Sequence, residues 1–134
     1  MKKINFENLP STNTPINATN LNLMQDNIEE TFEMLGNNIK VITGEITTTT
    51  TSSYGIATVK LPEGFTFDNT YIISCLCKRP GSNNYGNNPG GTSFNKKILY
   101  SITTSGTISI QIYKTDGAFT DVETYGYKLV IGKY

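Results

Sequence analysis

The chain is 134 residues long, carries eleven basic and eleven acidic side chains, and has no histidine. A balanced charge offers no basic excess to release counterions from a phosphate backbone, which excludes nucleic acid as a partner. Without histidine the commonest metal ligand and general base are missing. No apolar run approaches the roughly 18 residues that a membrane helix needs.

Leucine, isoleucine, valine and phenylalanine make up 33 of the 134 residues. That suffices for one modest core, because a chain of this size buries only about two thirds of its unfolded surface. Charged residues are 16%, and 20 threonines and 15 asparagines supply the remaining polarity. Lys2 and Lys3 are followed by Asn5, Glu7, Asn8 and Pro10 where a secretory leader needs an apolar stretch. Synthesis in the cytoplasm without export by the general secretory route is therefore expected.

Residues 1–17 are irregular. Pro10 and Pro15 bracket Ser11, Thr12, Asn13 and Thr14, all turn formers. A segment of this kind has nothing of its own to pack and is expected to dock on something else. Residues 18–38 form the one helical element. Leu21, Met24, Ile28, Phe32 and Leu35 recur at spacings of three, four, four and three, one apolar stripe at helical period. Thr19 or Asn20 can cap its start. Gly36 is expected to stop it in a left-handed conformation, ahead of Asn37 and Asn38. So short a helix is marginal alone in water, and its stripe needs a partner. The narrow stripe favours copies of itself over its own β unit.

From residue 39 the pattern changes to period two. Ile39, Val41 and Thr43 alternate with Lys40, Ile42 and Gly44, and the five threonines Thr47–Thr51 follow as an edge strand or connector. Further strands are read at Tyr54–Leu61 and at Tyr71–Lys78, the most apolar and expected to be central. Ile98–Ile102 and Ile108–Ile112 flank a tight turn at Ser105–Gly106. The last strand places Tyr125, Tyr127, Leu129 and Ile131 on one face. Strands this short and regular, with no second helix, indicate a mainly β fold: an antiparallel, jelly-roll-like sandwich over residues 39–134. Cys75 and Cys77 then point to one face as small buried apolar groups, not as a disulfide.

No motif for catalysis, cofactor or metal emerges. Asp116, Asp121 and Glu123 share one loop, yet acidic residues in turns ordinarily face water or cap backbone groups. The feature that rises above background is the loop 79–96, long for a compact domain. In it Tyr85 stands among Asn83, Asn84, Asn87 and Asn88. An aromatic face and paired amide donors and acceptors match the C–H faces and hydroxyls of a sugar. The same asparagines also suit left-handed turn positions.

Two stretches resemble a known family. Ile4-Asn5-Phe6 and the run Leu9-Pro10-Ser11-Thr12-Asn13-Thr14-Pro15-Ile16-Asn17-Ala18-Thr19-Asn20-Leu21-Asn22 resemble the start of tail, fibre and baseplate proteins of bacteriophages that infect Gram-positive bacteria. There a short arm leads into a helix. Residues 64–71 and the closing Tyr127-Lys128-Leu129-Val130-Ile131-Gly132-Lys133-Tyr134 are similar to the β-sandwich heads of phage receptor-binding proteins. The resemblance implies a non-enzymatic virion protein and a homotrimer. Residues 1–17 would dock to other virion proteins, and residues 18–38 would form a coiled-coil neck through Leu21, Met24, Ile28, Phe32 and Leu35. The head would bind host cell-surface polysaccharide. The alternative is a structural adaptor, decoration or head-fibre protein of the virion with no glycan ligand.

Overall fold

Two hydrophobic periods divide the chain, and the computed structural model, which describes residues 18–134, follows that division. The proposed docking arm, residues 1–17, lies outside the described residues. Two compact units meet between Asn38 and Ile39, with no linker between them.

The helix α1 spans Ala18–Asn38. It runs through Gly36, which is not among the residues of positive φ, so the expected left-handed stop is not used. What ends the helix is the switch at Ile39 to β-branched alternation. At 1.5 Å per residue its 21 residues extend about 31 Å. No residue of α1 is buried. Along the stripe, Met24 is 59% exposed, Ile28 47%, Phe32 63% and Leu35 53%. Thr31 lies beside the stripe and turns its hydroxyl back onto the Asn27 carbonyl at 2.9 Å. Among the described residues no helix is long and apolar enough to cross a membrane.

The β unit contains β1 (Ile39–Thr47), β2 (Tyr54–Lys60), β3 (Thr70–Lys78), β4 (Tyr85–Gly86), β5 (Lys96–Ile102), β6 (Thr107–Lys114) and β7 (Thr124–Lys133). They build two antiparallel sheets in the orders β1-β7-β3-β4 and β2-β6-β5. First strand pairs with last and second with last but one, the rolled sandwich that the alternation foretold. Ile108, Ile110 and Ile112 of β6 face Tyr125, Tyr127, Leu129 and Ile131 of β7 across a core closed by Ile46, Leu61, Phe65 and Phe119. Both cysteines lie in this core as free thiols.

One placement differs from the sequence reading, and a second is left open by it. In the four-stranded sheet the strand with long neighbours on both sides is β7, not β3, whose outer partner β4 is only two residues long. In β1 the inward set is Ile42 and Ile46, and Val41 stays 61% exposed beside Val130. The reason lies at Gly44, opposite Tyr127: a Cβ there would sit 2.5 Å from the Tyr127 ring carbon that carries the hydroxyl. The missing side chain makes room for the ring and sets which β1 face looks inward. Gly44→Ala is expected to lower unfolding free energy by about 1–3 kcal/mol through overpacking, read as a shifted urea midpoint at constant slope.

Candidate functional site

The antiparallel registers put the connections 48–53, 79–95 and 115–123 at one end of the sandwich, opposite the end where β1 begins and β7 finishes. This loop end is stitched together by hydrogen bonds. The Thr48 backbone N–H donates to the Glu123 carbonyl at 2.9 Å, and the Glu123 N–H donates to the Thr48 hydroxyl at 3.0 Å. Phe119 N–H reaches the Ser52 carbonyl and Thr115 N–H the Asn95 carbonyl, each at 2.9 Å. Of the five threonines, Thr48 is therefore a buried strut, and the expected exposure holds only for its neighbours.

Glu123 is the centre of this bracing. One carboxylate oxygen accepts the Tyr125 hydroxyl at 2.5 Å and the Lys96 ammonium at 3.3 Å. Lys96 also lies over the Phe119 and Tyr125 rings, at 5.7 and 5.9 Å. Burial pushes the Tyr125 phenol above its ordinary range, and the hydrogen bond to Glu123 adds to that rise. The neighbouring Asp116 pairs with Lys114 at 3.7 Å and accepts from the Asn95 amide at 3.3 Å. The acidic loop is thus built into the scaffold at Glu123 and Asp116. No group of three or more potential ligands could hold a metal ion among the described residues.

The loop between β3 and β5 carries the sequence-predicted sugar-facing residues, and the fold sorts them. Tyr85 pairs with Lys78 as part of β4 and is half-buried. Its ring is engaged by two ammonium groups, Lys128 at 4.5 Å and Lys78 at 5.5 Å from the centroid. It reaches over Gly126, where a Cβ would come 3.4 Å from the Tyr85 hydroxyl. Asn88 braces its own turn: its amide donates to the Gly91 carbonyl and its side-chain oxygen accepts from Gly90 N–H at 3.1 Å. The Asn84 backbone N–H donates to the Ser82 hydroxyl at 3.2 Å, a bond that leaves its side-chain amide unused. Asn83 and Asn87 are exposed, and their side-chain amides make no hydrogen bond among the described residues.

Two depressions flank the ridge made by Asn87 and Asn88. One, of about 240 Å³, is lined by Arg79, Asn84 and Tyr85 together with that ridge. The other, of about 460 Å³, is lined by Asn87, Asn88, Phe94, Lys97 and Leu99. Phe94 is the residue that sequence reasoning missed. It follows the 3-10 turn Gly91–Ser93, adopts φ 53° and ψ 16°, and is 75% exposed. It is the only non-glycine residue of positive φ among the described residues. A bulky side chain in that conformation costs on the order of 1–2 kcal/mol, which nothing buried here repays. The signal was present: a phenylalanine inside Gly90-Gly91-Thr92-Ser93-Phe94-Asn95 has no apolar residue two places either side and so belongs to no strand face. The ridge brings Asn84, Tyr85, Asn87 and Asn88 to shared depressions, whereas Asn83 lines neither. Compared with protein-family models, curated proteins and solved structures, the chain matches none.

Proposed function

We propose that the protein is a non-enzymatic structural component of a phage particle that binds host cell-surface glycan through the loop end of its β unit. In this reading residues 1–17 attach it to other virion proteins and α1 gathers copies into a homotrimer. The observation that carries the glycan half is Phe94. An exposed aromatic ring is held at a conformational cost beside the unengaged Asn87 amide, in a groove on the face where three loops converge. Stacking on a sugar's C–H face gives such a ring a use. Weak single contacts gain about 10²-fold or more when several copies engage one polymer.

The test is binding of the full chain to purified host wall polysaccharide. Phe94→Ala and Tyr85→Ala are each expected to weaken it at least tenfold, the Phe94 change without loss of stability. Phe94→Gly separates structure from function further. It keeps or raises thermal stability, by up to about 1 kcal/mol, because glycine accepts the left-handed conformation. It still loses the sugar contact. Wild-type binding by all three variants would remove the glycan reading.

A second reading, a structural adaptor without a glycan ligand, draws on a different surface. At the end where β1 begins, Ile39, Val41 and Ile73 are exposed, and Tyr71 stacks on Tyr134 at 5.4 Å. A protein that only joins virion parts would use that apolar patch. Val41→Lys would then abolish incorporation into particles while the parent shows no affinity for host walls.

A further inference from the structure

The charge on the chain is balanced in sum but segregated in sequence. Between Asp68 and Asp116 there is no carboxylate, while Lys78, Arg79, Lys96, Lys97 and Lys114 all fall in that stretch. The fold neutralises two of these five: Lys96 on Glu123 at 3.3 Å and Lys114 on Asp116 at 3.7 Å. Lys78, Arg79 and Lys97 have no ion-pair partner among the described residues, and neither does Lys128, which β7 adds to the group. All four cations surround one place. Lys78 and Lys128 converge on the Tyr85 ring, Arg79 shares a depression with Tyr85, Asn87 and Asn88, and Lys97 lines the groove with Asn87, Asn88 and Phe94.

Four like charges gathered on one edge repel one another, and a scaffold has no need of them. Glu123 and Asp116 are already used to brace loops, and Glu45, which the register sets on one side of Gly126 with Lys78 on the other, forms no ion pair with any of the four. From this we infer that the loop end recognises an anionic polysaccharide: its aromatic rings and amides take the sugar, and Lys78, Arg79, Lys97 and Lys128 take the negative groups along the polymer. The inference rests on the glycan-binding reading and narrows it to acidic polymers. Uronate carboxylates and phosphodiesters present the same charge and acceptor oxygens to these cations.

The experiment measures affinity of the full chain for three soluble polymers: polygalacturonate, poly(glycerol phosphate) and neutral dextran. One or both anionic polymers are expected to bind at least tenfold tighter than dextran, and which of the two does so identifies the anion. Raising salt from 50 to 150 mM should weaken that binding about tenfold, the result of neutralising about three polymer charges at roughly 0.7 counterion each. Lys78→Gln, Lys97→Gln and Lys128→Gln combined should remove most of the salt dependence and at least tenfold of the affinity. Lys60→Gln, on β2 at the other end of the sandwich, should change neither. Salt dependence of the parent stands whether or not the triple variant folds. Salt-independent binding, equal affinity for dextran, or equal affinity for a single-stranded oligonucleotide overturns the inference. Tight, salt-independent binding to host wall polysaccharide would leave the glycan reading intact while sinking the anionic one; no binding to host wall or to any polymer removes both.

Discussion

Met24→Asp combined with Ile28→Asp is expected to convert an oligomer into a monomer while leaving the β unit folded. The two side chains lie at the middle of a stripe that nothing in the described chain buries, and the β core shares no residue with it. Covering the exposed half of each of Met24, Ile28, Phe32 and Leu35 contributes roughly 1 kcal/mol apiece. Two buried aspartates would reverse that sum. The wheel also sets the direction of assembly. At 100° per residue, Glu29 falls on one flank of the stripe, which Glu33, Asp26 and Glu30 continue onto the back of the helix, while Thr31, Asn27 and Asn20 fall on the other, neutral flank. Parallel copies about a rotation axis place the acidic flank of each against the neutral flank of the next. An antiparallel pair would set the acidic flank against itself. Leu21 and Phe32 are eleven residues apart, as are Met24 and Leu35, a repeat that gives a shallow right-handed supercoil. Light scattering should therefore give a mass near three chains for the parent and one for the double variant. Leu21→Cys should form disulfides between copies only if the helices run parallel. A monomeric parent would end the neck proposal.

How much of this was legible in the sequence differs by element. The helix was legible because five apolar residues at period 3.6 leave no other reading, and no second α-helix among the described residues is there to cover its stripe. The last strand was legible because Tyr125, Tyr127, Leu129 and Ile131 alternate with Gly126, Lys128, Val130 and Gly132. The inward face of β1 was not, since Ile39 and Val41 are as apolar as Ile42 and Ile46. Only the approach of Tyr127 to Gly44 decides between them, and that contact spans more than 80 residues of chain. The candidate site was half legible. An Asn-rich loop around a tyrosine could be seen, but whether each amide serves a turn or faces water depends on backbone geometry. Asn88 is spent on Gly90 and Gly91, and Asn87 is not. Phe94 looked like an ordinary hydrophobe until its left-handed backbone and exposure set it apart. The cationic edge was hidden by the zero net charge, which averages an acidic helix with a basic edge.

Alkaline pH should destabilise the β unit through its core thiols. Burial, and next the adjacent Cys77 thiol, push Cys75 up from 9.0 to about 11. Burial likewise raises Cys77. An unfolded chain releases a thiol proton near pH 9, whereas the native chain keeps it until about pH 11. Between those values the native state holds more protons than the unfolded state, so stability falls as pH rises. Below pH 9 both states are protonated and the contribution is fully present. One such group lowers unfolding free energy by about 1.4 kcal/mol for each pH unit in that window. Cys77 adds to the fall from its own raised value. Above pH 10 the buried phenols of Tyr125 and Tyr127, also held above their ordinary range by burial, steepen it. Urea midpoints measured from pH 8 to pH 10.5 should be flat to about pH 9 and then drop. In a Cys75→Ala, Cys77→Ala variant the starting stability is lower, because the core loses volume. Its decline between pH 9 and 10 should be nearly absent. A slope unchanged by removing both thiols would show that they are not buried as described, and with them the inward face of β3 would have to be reassigned.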